Sequence, residues 1–280
     1  MDAAGVALTS RVSPSHPITG RTRLLAIIAD PVAGTLSPLM VNTILQQRGL
    51  FGAFALMPMQ VAADGLEPTV TALRHIKSFA GAIFSMPHKS AIVPLLDELT
   101  PEAGLVGAVN VVRRNADGRL LGTILDGEGF VAGLRSAGHE VTSASCLLVG
   151  AGGAAAAIAF ALARHGCGSL TVKNRTASKA ARLAARVQQA FPAARVLTAD
   201  ATLGSYDLLI NASSLGMRPD DDLPVHEDVI ERSGLIAECV VAPERTRLLQ
   251  LADEKGRPTH AGMPMLAAQI DLMLQFMGVE

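Results

Sequence analysis

The stretch from Cys146 to Ala163 constrains this chain most, because it carries no charge at all. A membrane span needs about 20 consecutive, mostly apolar residues. This stretch is instead broken by Gly150, Gly152 and Gly153, and switches from Leu and Val to Ala. It reads as a buried strand, a tight turn and a helix. The wholly apolar strand, Cys146 to Val149, suits one covered on both faces. The turn Gly150-Ala151-Gly152-Gly153-Ala154-Ala155 satisfies the form G-x-G-x-x-A. In that form the first Gly makes the turn, the second lets backbone approach a pyrophosphate, and the third small residue lets helix and strand pack closely. Free N–H groups at the helix start then favour the phosphate charge.

The neighbouring segments repeat the same rhythm. Leu24 to Ala29, Phe54 to Met59 and Gly81 to Met86 read as strands, and Leu66 to Lys77 as a helix between two of them. Ser37 is expected at the N-cap, and Pro38 at the first position, of a helix running toward Gln47. Ala91 to Leu96 reads as a helix, and Val109 to Arg113 pairs with Leu120 to Gly122 as a hairpin around Asp117-Gly118. Helices at Phe130 to Ala137 and Ser178 to Gln189 alternate with strands at Leu170 to Val172, Arg195 to Leu197, Asp207 to Asn211 and Gly234 to Val241. Such alternation implies a parallel, doubly wound sheet with right-handed crossovers. A last helix, Met265 to Met277, follows after the sheet has ended. Residues 1 to about 20, rich in Ala, Ser and Pro without periodicity, read as a loose arm.

The strand after the glycine turn ends in Lys173-Asn174-Arg175-Thr176, with Lys179 close behind. A cofactor without a 2′-phosphate usually meets an acidic residue about 20 positions after the turn. Here no Asp or Glu occurs between the turn and Asp200. A basic cluster there suits a 2′-phosphate, which Arg holds bidentately. NADP is therefore expected, with NAD as the alternative. The formal net charge of -1 gives no electrostatic reason to bind nucleic acid or an anionic membrane. Cys146, Cys167 and Cys239 are far apart in sequence and odd in number, so reduced, buried thiols are expected rather than a disulfide framework or metal site. No basic start with a long apolar run opens the chain, so a cytoplasmic protein is expected.

Several further segments stand in a fixed order around that turn: Thr35-Leu36-Ser37-Pro38, Met86-Pro87-His88-Lys89, Gly107-Ala108-Val109-Asn110 and Leu125-Asp126-Gly127 before it, then Asn211-Ala212-Ser213-Ser214-Leu215-Gly216-Met217 and Met265-Leu266-Ala267-Ala268-Gln269 after it. Together, over roughly residues 22 to 278, they resemble the shikimate dehydrogenase family. The resemblance implies an α/β chain with an N-terminal α/β substrate domain and a Rossmann-type doubly wound dinucleotide-binding domain. The substrate domain would span 1–126 and be completed by the C-terminal helix within 264–280; the NADP domain would span 127–263. It implies reversible hydride transfer between NADP(H) and a small cyclic hydroxy-acid such as shikimate or quinate, in aromatic amino acid biosynthesis, by a monomer or homodimer. Lys89 and Asp126 would be catalytic. Thr35, Ser37, Ser85, Asn110 and Gln269 would bind substrate. Asn174, Arg175, Thr176, Lys179, Ser213, Met217 and Gly262 would join the glycine turn at the cofactor.

The chemistry of the pair is sound in itself. A Lys amine starts near pKa ~10.4, which burial lowers and a neighbouring carboxylate raises. An ammonium can stabilise a developing alkoxide and supply the proton in reduction. His88, next to Lys89, reads as positional. The chain also departs from the family pattern. Ile83 stands where Asn is common, Ile124-Leu125 where Asn-Thr is common, Val241 where Tyr is usual, and Pro264 where Gly is usual. Loss of polar side chains at Ile83, Leu125 and Val241 points to a substrate with fewer hydroxyls. A non-catalytic NADP- or ligand-binding regulator on the same scaffold is the rival reading, and the presence of both Lys89 and Asp126 opposes it.

Overall fold

The computed structural model describes residues 18–198 and 204–279. Most of the N-terminal arm expected from the sequence lies outside them. In chain order the elements begin with β1 (Arg23–Ala29), α1 (Ser37–Gln47), β2 (Phe54–Gln60), α2 (Leu66–His75) and β3 (Phe79–Phe84). They continue with β4 (Glu98–Leu99), α3 (Pro101–Val106), β5 (Val111–Arg114), β6 (Leu120–Thr123) and α4 (Asp126–Ser136). The next are β7 (Ser145–Val149), α5 (Gly153–Arg164), β8 (Ser169–Lys173), α6 (Ala177–Ala190), β9 (Val196–Thr198) and β10 (Tyr206–Asn211). Last come α7 (Glu227–Glu231), β11 (Ser233–Glu238), α8 (Arg247–Glu254), β12 (Thr259–His260) and α9 (Met263–Phe276).

The strands form two sheets. The first runs β2-β1-β3-β5-β6-β4, and the second β12-β11-β10-β7-β8-β9. Every pairing in the second is parallel. In the first, β1, β2 and β3 are parallel, whereas the hairpin β5–β6 runs antiparallel against β3. Alternation along β1 explains how the first sheet is covered on both faces. Leu25 and Ile27 pack with Val41 and Leu45 of α1 and Ile270, Met273 and Leu274 of α9. Ala26 and Ile28 point the other way, among Val70 and Leu73 of α2.

Helix α4 leaves the first sheet and α9 returns to it, and the two pack against each other. Glycines make this possible. A Cβ on Gly129 would lie 2.9 Å from the Met265 carbonyl oxygen, and one on Gly133 2.9 Å from the Met265 nitrogen. On another face of α4, a Cβ on Gly127 would collide with the Ala157 carbonyl of α5. The sheets are further tied by arginines of the second half. Arg164 of α5 pairs with Glu102 of α3 and Glu128 of α4. Arg186 of α6 donates to the Leu105 carbonyl at 2.7 Å.

Two local expectations are corrected, and one is borne out. Ser37 is not an N-cap: α1 starts from Leu36, already in helical conformation, so the buried Ser37 hydroxyl is not consumed in capping. Ala91–Leu96 forms only a 3₁₀ turn at Val93–Leu95, where Pro94 supplies no N–H to an α-helical ladder. Cys146 and Cys167 are free and buried, as expected; the neighbouring Cys167 thiol and burial push the Cys146 thiol far up, while the Cys146 thiol pulls Cys167 down against the effect of its burial. Among the described residues no helix is long and apolar enough to cross a membrane.

Candidate active site

The loop after β3 carries Ser85 and Lys89. Its neighbour His88 is buried and its ring Nε2–H donates to the Val61 carbonyl at 2.7 Å, a structural bond that anchors the loop. The ammonium of Lys89 donates to Asp126 Oδ2. Asp126 is the first residue of α4, where the positive end of the helix favours an anion. Asp126 is buried, with its side chain 4% exposed, whereas that of Lys89 is 20% exposed. The pair is thus closed on the carboxylate side and open on the ammonium side.

The second oxygen of Asp126 accepts from Asn110 Nδ2 at 3.0 Å, and the same amide donates to Gln269 Oε1 at 3.0 Å. Asn110 Oδ1 accepts from the Leu125 N–H at 2.9 Å, and Gln269 Nε2 donates to the Met265 carbonyl at 3.3 Å. Every polar atom of the two amides is thereby oriented, which buried polar groups require. Lys89, Asp126, Asn110 and Gln269, scattered over 180 positions from the first to the last, form one continuous chain of hydrogen bonds. Gln269 reaches it because the glycine face of α4 lets α9 come close.

Thr35 lies in the connection from β1, Ser37 opens α1, and Ser85 lies just past β3, so all three sit beyond the C-terminal ends of adjacent parallel strands. The Asp30 N–H donates to the Met86 carbonyl at 3.0 Å and ties these loops together. Thr35 Oγ1 donates to the Val32 carbonyl at 2.8 Å, which leaves its lone pairs available. Ile83 is 4% exposed and packs with Leu25, Ile27, Val111 and Ile270; Leu125 packs against the same cluster, and Val241 is half-buried.

In the second sheet the order reverses between β7 and β10, the place where parallel sheets open a crevice beyond their C-terminal ends. Gly150, Ala151 and Gly152 follow β7 there. Gly150 has φ +126°, and a Cβ on it would lie 2.6 Å from the Ala212 carbonyl oxygen, so only glycine fits. A Cβ on Gly152 would meet nothing within 4 Å, so open space lies over the start of α5. Gly153, Ala154 and Ala155 begin that helix with N–H groups that have no intrahelical partner. The space, the free donors and the helix end fit a pyrophosphate. Asn174 lies at the end of β8 and donates to the Thr176 carbonyl at 3.1 Å; Arg175, Thr176 and Lys179 are exposed beside it.

After β10, Asn211 shapes the next loop. Its Oδ1 accepts from Ser213 Oγ at 2.7 Å, and its Nδ2 donates to the Leu215 carbonyl at 2.9 Å. Met217 beyond it is 47% exposed. Gly262 precedes α9 and abuts the Val240 carbonyl so closely that no side chain fits. The sequence reading missed Glu238, wholly buried at the end of β11. Its Oε2 accepts from Thr246 Oγ1 at 3.0 Å and from Asn211 Nδ2 at 3.5 Å, while Oε1 has no partner among the described residues. Burial raises this carboxyl to about 7, against the lowering effect of those two bonds and of Arg245. An acid at the end of a strand beside an Asn at the end of its neighbour was the available signal.

Comparison with known proteins gives consistent matches. Residues 27–112 match the shikimate dehydrogenase substrate binding domain, and residues 134–217 match the shikimate / quinate 5-dehydrogenase family. The shikimate dehydrogenase (NADP(+)) of Rubrobacter xylanophilus is 37% identical over 270 residues, covering 94% of this chain and 90% of that protein. The crystal structure of shikimate 5-dehydrogenase from Thermus thermophilus with NADP(H) and shikimate superposes with a TM-score of 0.81 at 31% identity, covering 91% and 93% of the two chains. The ligand-free 5-ketofructose reductase of a Gluconobacter species superposes with a TM-score of 0.79 at 31% identity, covering 92% and 93%.

Proposed function

The chain belongs to the shikimate dehydrogenase family, and on that footing we propose that it interconverts a ring secondary alcohol and its ketone through Lys89 and Asp126. It is an NADP-dependent oxidoreductase acting on CH–OH. NADP(H), when bound, supplies or accepts the hydride. The hydrogen-bonded pair of Lys89 and Asp126 in a half-open crevice carries the rest of the reading. In reduction the Lys89 ammonium donates its proton to the oxygen that gains charge as hydride arrives; in oxidation the neutral amine takes the proton back. Asp126 holds the lysine in place and balances its charge. Asn110, fixed by Asp126, Leu125 and Gln269, holds Asp126 in turn.

Residues up to 126, with 264 onward, form the substrate side of this reading, and 127–263 the NADP side. Thr35, Ser37 and the start of α1 suit a ring carboxylate, because hydroxyls and free helix N–H groups gather there. Ser85 lies on the same strand ends. Arg175, Thr176 and Lys179 suit the 2′-phosphate, and Ser213, Met217 and Gly262, which follow the C-terminal ends of β10 and β12, suit the nicotinamide half.

The substrate is a ring acid with fewer hydroxyls than shikimate. Ile83, Leu125 and Val241 offer no hydrogen bonds, and each buried unpaired hydroxyl costs about 1–3 kcal/mol. The solved relative named a 5-ketofructose reductase is in keeping with a scaffold whose substrate varies. The test is kcat/KM with NADP for shikimate, quinate and ring acids with fewer hydroxyls. We expect shikimate to fall below the usual enzymatic range of ~10⁴–10⁸ M⁻¹s⁻¹ and below a less polar acid. A shikimate value inside that range and highest in the panel would show that the apolar positions lie off the ligand.

A further inference from the structure

The glycine turn contains one glycine that the dinucleotide fingerprint does not require. In the form G-x-G-x-x-A, Gly153 occupies a free position. Its backbone is not left-handed, as it is the first residue of α5. Alanine would suit a helix better, by up to about 1 kcal/mol. Neither the turn nor the helix explains a glycine there.

Its surroundings do. A Cβ on Gly153 would lie 3.0 Å from Lys89 Cβ, 3.5 Å from Lys89 Cδ and 3.4 Å from Ala108 Cβ. The bare α-carbon of the turn therefore faces the stem of the lysine that pairs with Asp126. The neighbouring glycine behaves differently, since a Cβ on Gly152 would enter open space. On the far side, the Val109 N–H donates to the Lys89 carbonyl at 2.8 Å, so the lysine backbone is fixed by the segment that carries Ala108 and Asn110. A lysine stem has four rotatable carbons and no preferred reach. Here it runs against the bare α-carbon of Gly153, which Ala108 also faces, and its ammonium lands on Asp126.

We propose that Gly153 is a positioning residue for Lys89: its missing side chain lets the cofactor turn seat directly against the lysine stem and hold the ammonium in register with Asp126. The inference rests on the reading of Lys89 as the proton-transfer group. It adds that the same turn serves both the cofactor, through its N–H groups, and the proton donor, through the absence of a Cβ. A methyl group at Gly153 would stand inside the usual 3.5–4.0 Å separation of carbon atoms. Lys89 or α5 must then shift by several tenths of an ångström, while the N–H groups of the turn remain.

The test is Gly153→Ala in the full chain, with NADPH binding measured by fluorescence titration and kcat at saturating NADPH and substrate. We expect kcat to fall about 10- to 100-fold, as misplacement of a reacting group by up to 1 Å can cost, with the NADPH Kd within about threefold of wild type. Gly152→Ala is expected to show the reverse split, with Kd raised more than kcat is lowered. Ala108→Gly, which removes the other side chain packed against Gly153 and so loosens the seating of the turn without a clash, is the second variant should Gly153→Ala not fold; it should lower kcat with an unaltered Kd. Wild-type kcat in Gly153→Ala, with or without a raised Kd, overturns the proposal, and so does wild-type kcat in Ala108→Gly when that variant stands in. Lys89→Ala, measured alongside, separates the two ideas: a wild-type kcat there removes the reading of Lys89, whereas a low kcat there with a wild-type kcat in Gly153→Ala removes only the role of Gly153.

Discussion

Replacing Glu238 by Gln should make the protein's stability less sensitive to pH, by an amount the structure allows to be worked out. Glu238 is fully buried and its carboxyl is raised from an ordinary 4.5 to about 7, chiefly by desolvation. A group whose pKa is higher folded than unfolded holds its proton longer in the folded state. Folding then loses stability as pH rises from about 4.5 to about 7, and the loss is complete above that. At about 1.4 kcal/mol per pKa unit, the full penalty is about 3 kcal/mol, most of it arriving between pH 5 and pH 8. Glutamine has similar shape and no titration. Its amide oxygen can accept from Thr246 and Asn211, while its NH₂ takes the place of the unpartnered Oε1. That amide carries its own desolvation cost, so the diagnostic is the change with pH rather than the offset. Urea denaturation of both proteins at pH 5 and pH 8 gives the comparison. The variant should gain about 2–3 kcal/mol relative to wild type on going from pH 5 to pH 8. A difference that stays constant to within 0.5 kcal/mol, roughly the limit of additivity for such measurements, would refute the claim that Glu238 carries an uncompensated charge.

Arg175→Ala should raise KM for NADP at least tenfold while changing KM for NAD little, because a charge-assisted bond to the 2′-phosphate is worth about 1.5–3 kcal/mol; equal effects on both cofactors in steady-state assays would contradict this. Gly127→Ala should destabilise the protein by about 1–3 kcal/mol in urea denaturation, since the new methyl group meets the Ala157 backbone rather than a side chain that can turn away. Unchanged stability would mean that α4 and α5 separate freely.

The second sheet was the more legible half. Cys146–Val149 is a continuous apolar run and Leu170-Thr171-Val172 a mostly β-branched one, each bounded by polar or glycine positions, and both are buried in the structure. Apart from the eight-residue helix α8, the elements that the sequence reading passed over are short. Strand β4 has two residues and β12 two, too few to show any period. Helix α3 was readable in principle: Thr100 accepts from the Ala103 N–H at 3.3 Å, Pro101 opens the helix, and Gly107 closes it in the left-handed region. Its six residues are too few for a helical period to be read, so only those end signals remain. Ser37-Pro38 misled because the same pair serves an N-cap and a first turn. In the site, Lys89, Asp126, Asn110 and Gln269 were named from short motifs, but no spacing in the chain says that they share one hydrogen-bond chain. That follows from α9 returning against the glycines of α4. Glu238 was missed for a related reason, since its partners come from the end of β10 (Asn211) and the N-cap of α8 (Thr246).

The most direct test of the central claim is turnover of NADP(H) on the best ring acid by wild type, Lys89→Ala and Asp126→Asn, with cofactor Kd measured on the same samples. If Lys89 moves the proton and Asp126 holds it in place, each substitution lowers kcat by ~10²–10⁴ and leaves the cofactor Kd within a few-fold of wild type. Near wild-type kcat in both variants would contradict the account.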